Sequence, residues 1–108
     1  MNAIHITAGG SVSVVEIREG DEQLADLQAK VGGYIEVVPL TPTIALICDE
    51  EGKLKARPIN HIANRLVRHV GVELLDGDHL VGDVVIVGSD DSDTVDVLAG
   101  LVGLIASL

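Results

Sequence analysis

Apolar and polar positions alternate with a period of two at the start of the chain. In residues 3–7 (AIHIT), Ile4 and Ile6 alternate with His5 and Thr7, and in residues 11–18 (SVSVVEIR), Val12 and Val14 alternate with Ser11 and Ser13. This is the period of a strand with one core face and one wet face, so His5 is expected in solvent. Gly9-Gly10 between the two runs is the signal for a tight hairpin turn. The period then changes. Leu24, Leu27, Gln28 and Val31 recur at helical spacing. Asp21 is the expected N-cap of a helix running to about Lys30, and Gly32-Gly33 its C-terminal stop.

Residues 34–40 (YIEVVPL) read as a strand, with Pro39 placed at its end or on a sheet edge because proline has no backbone donor. Residues 44–48 (IALIC) are almost wholly apolar, which implies burial on both faces or a place near the sheet centre. An acidic turn follows at 49–52. Lys53 and Lys55 then alternate with Leu54 and Ala56, as in a short strand continuation or arm. Pro58 and Asn60 introduce a second helix, roughly 60–70. Ile59, Ile62, Ala63, Leu66, Val67 and Val70 form its apolar stripe, and His61, Asn64, Arg65, Arg68 and His69 its polar one. A short apolar segment at 72–75, a turn at 76–78 and a strand at 79–88 come next, then an acidic linker at 89–94.

The last stretch, residues 94–108 (TVDVLAGLVGLIASL), reads as a helix that is apolar nearly all round. Leu98, Leu101, Val102, Ile105 and Leu108 share one face, and Val97 and Leu104 lie on another. Such a helix needs two partners. It is too short for a bilayer, which takes about 20 apolar residues. Val97, Leu98, Leu101, Leu104, Ile105 and Leu108 are therefore the candidate interface of a homodimer or larger homo-oligomer. In the alternative, Gly100 and Gly103 break the helix and part of it forms a strand. The chain divides into an α+β domain at 1–93 and this tail at 94–108.

Composition narrows the function classes. A chain of 108 residues fits one domain able to bury a core without staples. Phe and Trp are absent and Tyr34 is the single aromatic, which argues against stacking of nucleic-acid bases. The net charge of −10 argues against free DNA or RNA as a direct partner. Cys48 is the only cysteine and lies in an apolar run, as a buried inert thiol does. The N-terminus shows no basic region followed by an apolar one, so a cytoplasmic location without membrane attachment is expected.

Several blocks taken together resemble an uncharacterised family, domain of unknown function 3846. They are Leu27-Gln28, Val31-Gly32-Gly33-Tyr34-Ile35-Glu36, Asp49-Glu50-Glu51-Gly52-Lys53-Leu54, Pro58-Ile59-Asn60 with Ala63, and Gly82-Asp83 with Ile86-Val87-Gly88. The resemblance covers about residues 12–90. Residues 70–80 and the apolar tail depart from the family's pattern. The resemblance implies a setting in bacteriophages, plasmids or actinobacterial genomes, and no activity.

Candidate chemistry is sparse. Five of the seven basic residues, Lys53, Lys55, Arg57, Arg65 and Arg68, lie within sixteen positions, with His61 and His69 beside them. His61, Arg65 and His69 are spaced i, i+4, i+8 on the second helix. Lys53, Lys55, His61, Arg65, Arg68 and His69 are the candidate anion site, since guanidinium donors match oxyanions. The simpler account is a solvated face paired with Asp49, Glu50 and Glu51. Asp90, Asp91, Asp93 and Asp96 lack the spacing of a calcium loop and are read as helix-capping. Asp76, Asp78, His79 and Asp83 contain metal-ligand types, better explained by a turn. No catalytic constellation, metal or cofactor motif stands out.

The expected fold is α+β, in the order ββαββαβα, with a mostly antiparallel sheet covered by helices. The expected function is that of a non-enzymatic phage or mobile-element accessory protein that binds itself and a host or phage protein. Two further readings are an acidic mimic of nucleic acid that blocks a host DNA-binding protein, and a small nucleotide- or anion-binding enzyme.

Overall fold

The computed structural model describes residues 1–72, 74, 79–88 and 94–108, the side chains of 94–99 excepted. Five strands, β1 (Asn2–Ile6), β2 (Val12–Glu16), β3 (Ile35–Thr41), β4 (Ile44–Asp49) and β5 (Val84–Gly88), form one sheet in the order β2-β1-β5-β4-β3. Every neighbouring pair is antiparallel. Among the described residues three α-helices are added: α1 (Gln23–Val31), α2 (His61–His69) and α3 (Thr94–Ser107). The architecture is α+β with the expected ββαββαβα order.

Side-chain alternation divides the core in two. Ile4, Ile6, Leu46, Cys48, Val84 and Ile86 point to one face, where they meet Ala63, Leu66 and Val67 of α2 and Ile105 of α3. Ala3, Ile47 and Val85 point to the other and meet Leu27 and Val31 of α1, with Ile17. Two helices thus cover one face, and one nine-residue helix covers the other. β4 is buried on both faces from Leu46 to Asp49 and β5 from Val84 to Ile86, whereas Ile44, Ala45, Val87 and Gly88 at their other ends are half-buried. β3 is an edge strand, which accommodates Pro39.

Local signals hold with shifted boundaries. Gly10 sits at φ 97 in the first hairpin turn. Gly32 caps α1 in the left-handed region at φ 83, and its N–H donates to the Gln28 carbonyl at 2.7 Å. A short 3-10 turn, Gly20–Glu22, precedes α1, so Asp21 lies inside that turn and Glu22 takes the cap position.

Four readings of the sequence are corrected. His5 is not in solvent: it shares the α1 face with Ala3, its side chain is 17% exposed, and its Nε2 lies 3.9 Å from Asp83 Oδ2. Both faces of β1 are covered, so alternation on that strand does not separate core from water. Val14 is 55% exposed because β2 is the other sheet edge, beyond the reach of the covering helices. Residues 53–56 form successive turns instead of a strand. On α2, Asn64 is buried and Ile59 is exposed, the reverse of the two-stripe reading. Ile59 precedes the helix and makes a bridge to Val81. The expected turn at 76–78 and acidic linker at 89–93 lie outside the described residues.

Candidate functional site

The most constrained polar cluster is centred on Asp49. This residue ends β4 on the α1 face, and its carboxylate is fully buried beneath the C-terminus of α1. Lys55 Nζ and Arg57 Nε each donate to Asp49 Oδ2 at 3.0 Å, and the Glu51 N–H donates to Oδ1 at 2.9 Å. Burial alone would raise the Asp49 pKa; these donors outweigh it and hold it below the usual carboxylate range. The same two cations reach the open end of α1. Arg57 Nη2 donates to the Gly32 carbonyl at 2.8 Å and Lys55 Nζ at 3.3 Å. They neutralise the negative end of the helix dipole.

Gly33 permits this approach. A Cβ there would lie 2.7 Å from Asp49 Oδ1 and collide with Lys55 Nζ. The double glycine therefore does more than stop α1: it lets the VGG block pack directly against the acidic-turn block. Sequence reasoning missed this cluster. Its signal was the pairing of a bare Gly-Gly with an Asp followed by Lys55 and Arg57.

A second buried polar pair joins α2 to the sheet. Asn60 caps α2, its Oδ1 accepting from the Ala63 N–H at 3.0 Å. Its Nδ2 donates to the carbonyls of Ile6 at 3.0 Å and Gly82 at 2.9 Å. Asn64 Nδ2 donates to the Leu80 carbonyl at 2.9 Å, and Asn64 Oδ1 accepts from the Leu80 N–H at 3.0 Å. One amide thus replaces a strand partner for the segment leading into β5. These residues have spent their hydrogen-bonding capacity on the fold.

The sequence-predicted anion residues are divided. His61, Arg65, Arg68 and His69 are exposed on the outer face of α2. Lys55 is committed to Asp49 on the other side of the sheet, and Lys53 is also engaged. The six residues therefore do not form one site. Asp49, named as a carboxylate partner for the helix face, serves Lys55 and Arg57 instead.

A cavity of about 240 Å³ opens on the α2 side of β3 and β4, lined by Glu36, Val38, Cys48, Lys53, Leu54 and His79 among others. Cys48 is buried. That burial, with Glu36 and Asp49 nearby, pushes its thiol up to about 11. At neutral pH it is a thiol, not a thiolate nucleophile. Among the described residues, no group of three or more His, Cys, Asp or Glu is placed to hold a metal ion.

The other face of the sheet offers a different surface. α1 covers the Asp49 end of β4 and leaves the opposite end open. A groove of about 540 Å³ results, floored by Ile35, Val37, Ala45, Ile47 and Val87 and walled by Leu27. Val37 is 54% exposed. Among the described residues that line it, Glu19 is the one with an ionisable side chain, beside Gln23 and Met1.

Of the candidate interface residues in α3, Ile105 is buried in the core of its own chain. Leu101, Leu104 and Leu108 pack against that core and stay partly accessible. The side chains of Val97 and Leu98 lie outside the described residues. Among the described residues, no helix is long and apolar enough to cross a membrane.

No curated protein and no solved structure matches the chain. A family model described as Domain of unknown function (DUF3846) matches residues 1–105. The match runs through residues 70–80 and nearly all of α3, which were expected to depart from the family's pattern. Both buried polar clusters and the helix that completes the core thus fall within a single family pattern, and the chain belongs to the DUF3846 family.

Proposed function

We propose that this chain is a non-enzymatic accessory protein that acts in the cytoplasm by binding another protein. The observation that carries the reading is the uncovered apolar groove beside α1. Exposed Val37 and half-buried Ala45 and Val87, on a sheet whose other face carries two helices, leave a place for a partner's apolar side chains. The buried polar groups support it from the opposite direction. Asp49, Asn60 and Asn64 are tied up in the fold, and Cys48 is held protonated. A phage or mobile-element setting, with a host or phage protein as partner, rests on the resemblance of the sequence blocks.

The test is affinity purification from a bacterial lysate with the full chain and with Val37→Asp. Proteins retained by the wild type and lost by the variant support the reading; identical captures refute it. Self-association through α3 is a second reading, favoured by the surface of Leu101, Leu104 and Leu108 left accessible on one chain. Light scattering of the full chain and of Leu104→Glu would test it. A monomeric wild type across the micromolar range rules it out.

A further inference from the structure

Resting on the protein-binding reading, we propose that the groove beside α1 takes an amphipathic helix with a basic polar face from a partner protein.

Five strands spaced about 4.8 Å apart make a face roughly 20 Å across. A nine-residue helix is about 13 Å long and about 10 Å wide, so α1 covers less than half of that face. The opposite face accommodates two helices. The open part, floored by Ile35, Val37, Ala45 and Val87, therefore has the breadth of a helix and lacks one.

β3 is an edge strand, and an extended peptide could add to it by main-chain bonding. Pro39 removes a donor within β3, and the register with β4 shifts between Pro39 and Thr41. An interrupted edge is a poor template. Side chains on the face, not main-chain groups on the edge, are what this region offers.

Among the described residues no Lys or Arg side chain lines the groove, Glu19 stands on its rim, and the Met1 amine beside it is paired with Glu16 at 3.3 Å. In the adjoining sequence Glu16 is paired with the Met1 amine, and Glu22 and Asp26 share Arg18, while Asp21 is exposed, so the acids of this segment outnumber its cations, and the chain carries −10 overall. A second copy would bring an equal negative charge to this rim. A basic helix gains from both features: apolar residues at i, i+3 or i+4, and i+7 enter the floor, while Lys or Arg faces Glu19.

The probes are two labelled synthetic peptides of about 18 residues, with the same Leu/Ala stripe and either Lys or Glu on the polar face. Binding to the full chain is read by fluorescence anisotropy at low and high salt. The Lys peptide is expected to bind, with Val37→Asp weakening it about tenfold or more. Glu19→Lys should weaken it about threefold at low salt and less at high salt. Val14→Asp, on the opposite face, should leave it unchanged.

Equal binding of the two peptides overturns the charge assignment. An unaffected Val37→Asp overturns the groove assignment, as does a dimer that Val37→Asp converts to monomer, since the occupant is then a second copy. Absence of binding by both peptides overturns the inference. The wider protein-binding reading stands or falls separately, on the wild-type and Val37→Asp captures.

Discussion

Replacing Asp49 by Ala removes the group on which two blocks of the chain converge. The carboxylate is fully buried and accepts from Lys55, Arg57 and the Glu51 N–H. Removing one partner of a buried ion pair costs about 3–5 kcal/mol when the other is stranded. Lys55 and Arg57 retain side-chain exposures of 37% and 32%, so both rehydrate in part. The expected loss is therefore about 2–4 kcal/mol. For a domain of this length that lowers the melting temperature by about 8–16 °C, measurable by circular dichroism.

The pH dependence gives a second check with a definite sign. Asp49 has a folded-state pKa below its unfolded value of about 3.9. Its contribution is complete above the unfolded value and is lost as pH falls through the folded one. The gap between wild type and Asp49→Ala should be the same at pH 7 and about pH 5.5, and should close below about pH 4. Asp26, held down to about 2 by Arg18, titrates in both proteins and cancels from the difference. A variant melting within about 2 °C of wild type at pH 7, or a gap that persists to the lowest pH, would refute the reasoning.

Gly82→Ala forces a residue at φ 74 out of its allowed region and sets a Cβ 2.8 Å from Arg57 Cδ, so a loss of about 1–3 kcal/mol is expected by urea unfolding. Because it acts through Arg57, combining it with Asp49→Ala should give less than the sum of the two losses. Asn60→Ala removes the α2 cap and leaves the Ile6 and Gly82 carbonyls without their donor, for about 2–4 kcal/mol by the same assay. Cys48, buried and protonated, should react with iodoacetamide at neutral pH far more slowly than in the urea-unfolded chain. Comparable rates in both states would show that it is accessible.

Periodicity and turn residues alone determine the inventory of elements: five strands, three helices and their order. Those signals are local, and a glycine pair or a stripe at i, i+3, i+4 acts within a few residues of itself. The Asn60 signal for the start of α2 was of the same kind, and the cap geometry agrees with it. Strand order was not local. Placing β5 between β1 and β4 joins residues some eighty positions apart on one side and about forty on the other, and that pairing decides which faces become covered. Coverage in turn explains the failed readings. His5 alternates correctly but faces α1; Val14 alternates correctly but lies on an uncovered edge; Asn64 occupies a polar position whose partner, Leu80, arrives from sixteen residues away. The basic run from Lys53 to Arg68 looked continuous, yet the turns at 53–56 send Lys55 and Arg57 to Asp49 and the end of α1, while Arg65 and Arg68 ride outward on α2. The groove beside α1 was invisible in the sequence for the same reason. Val37, Ala45 and Val87 have the composition of core positions, and the short length of α1 in the assembled domain leaves Val37 exposed and the other two half-buried.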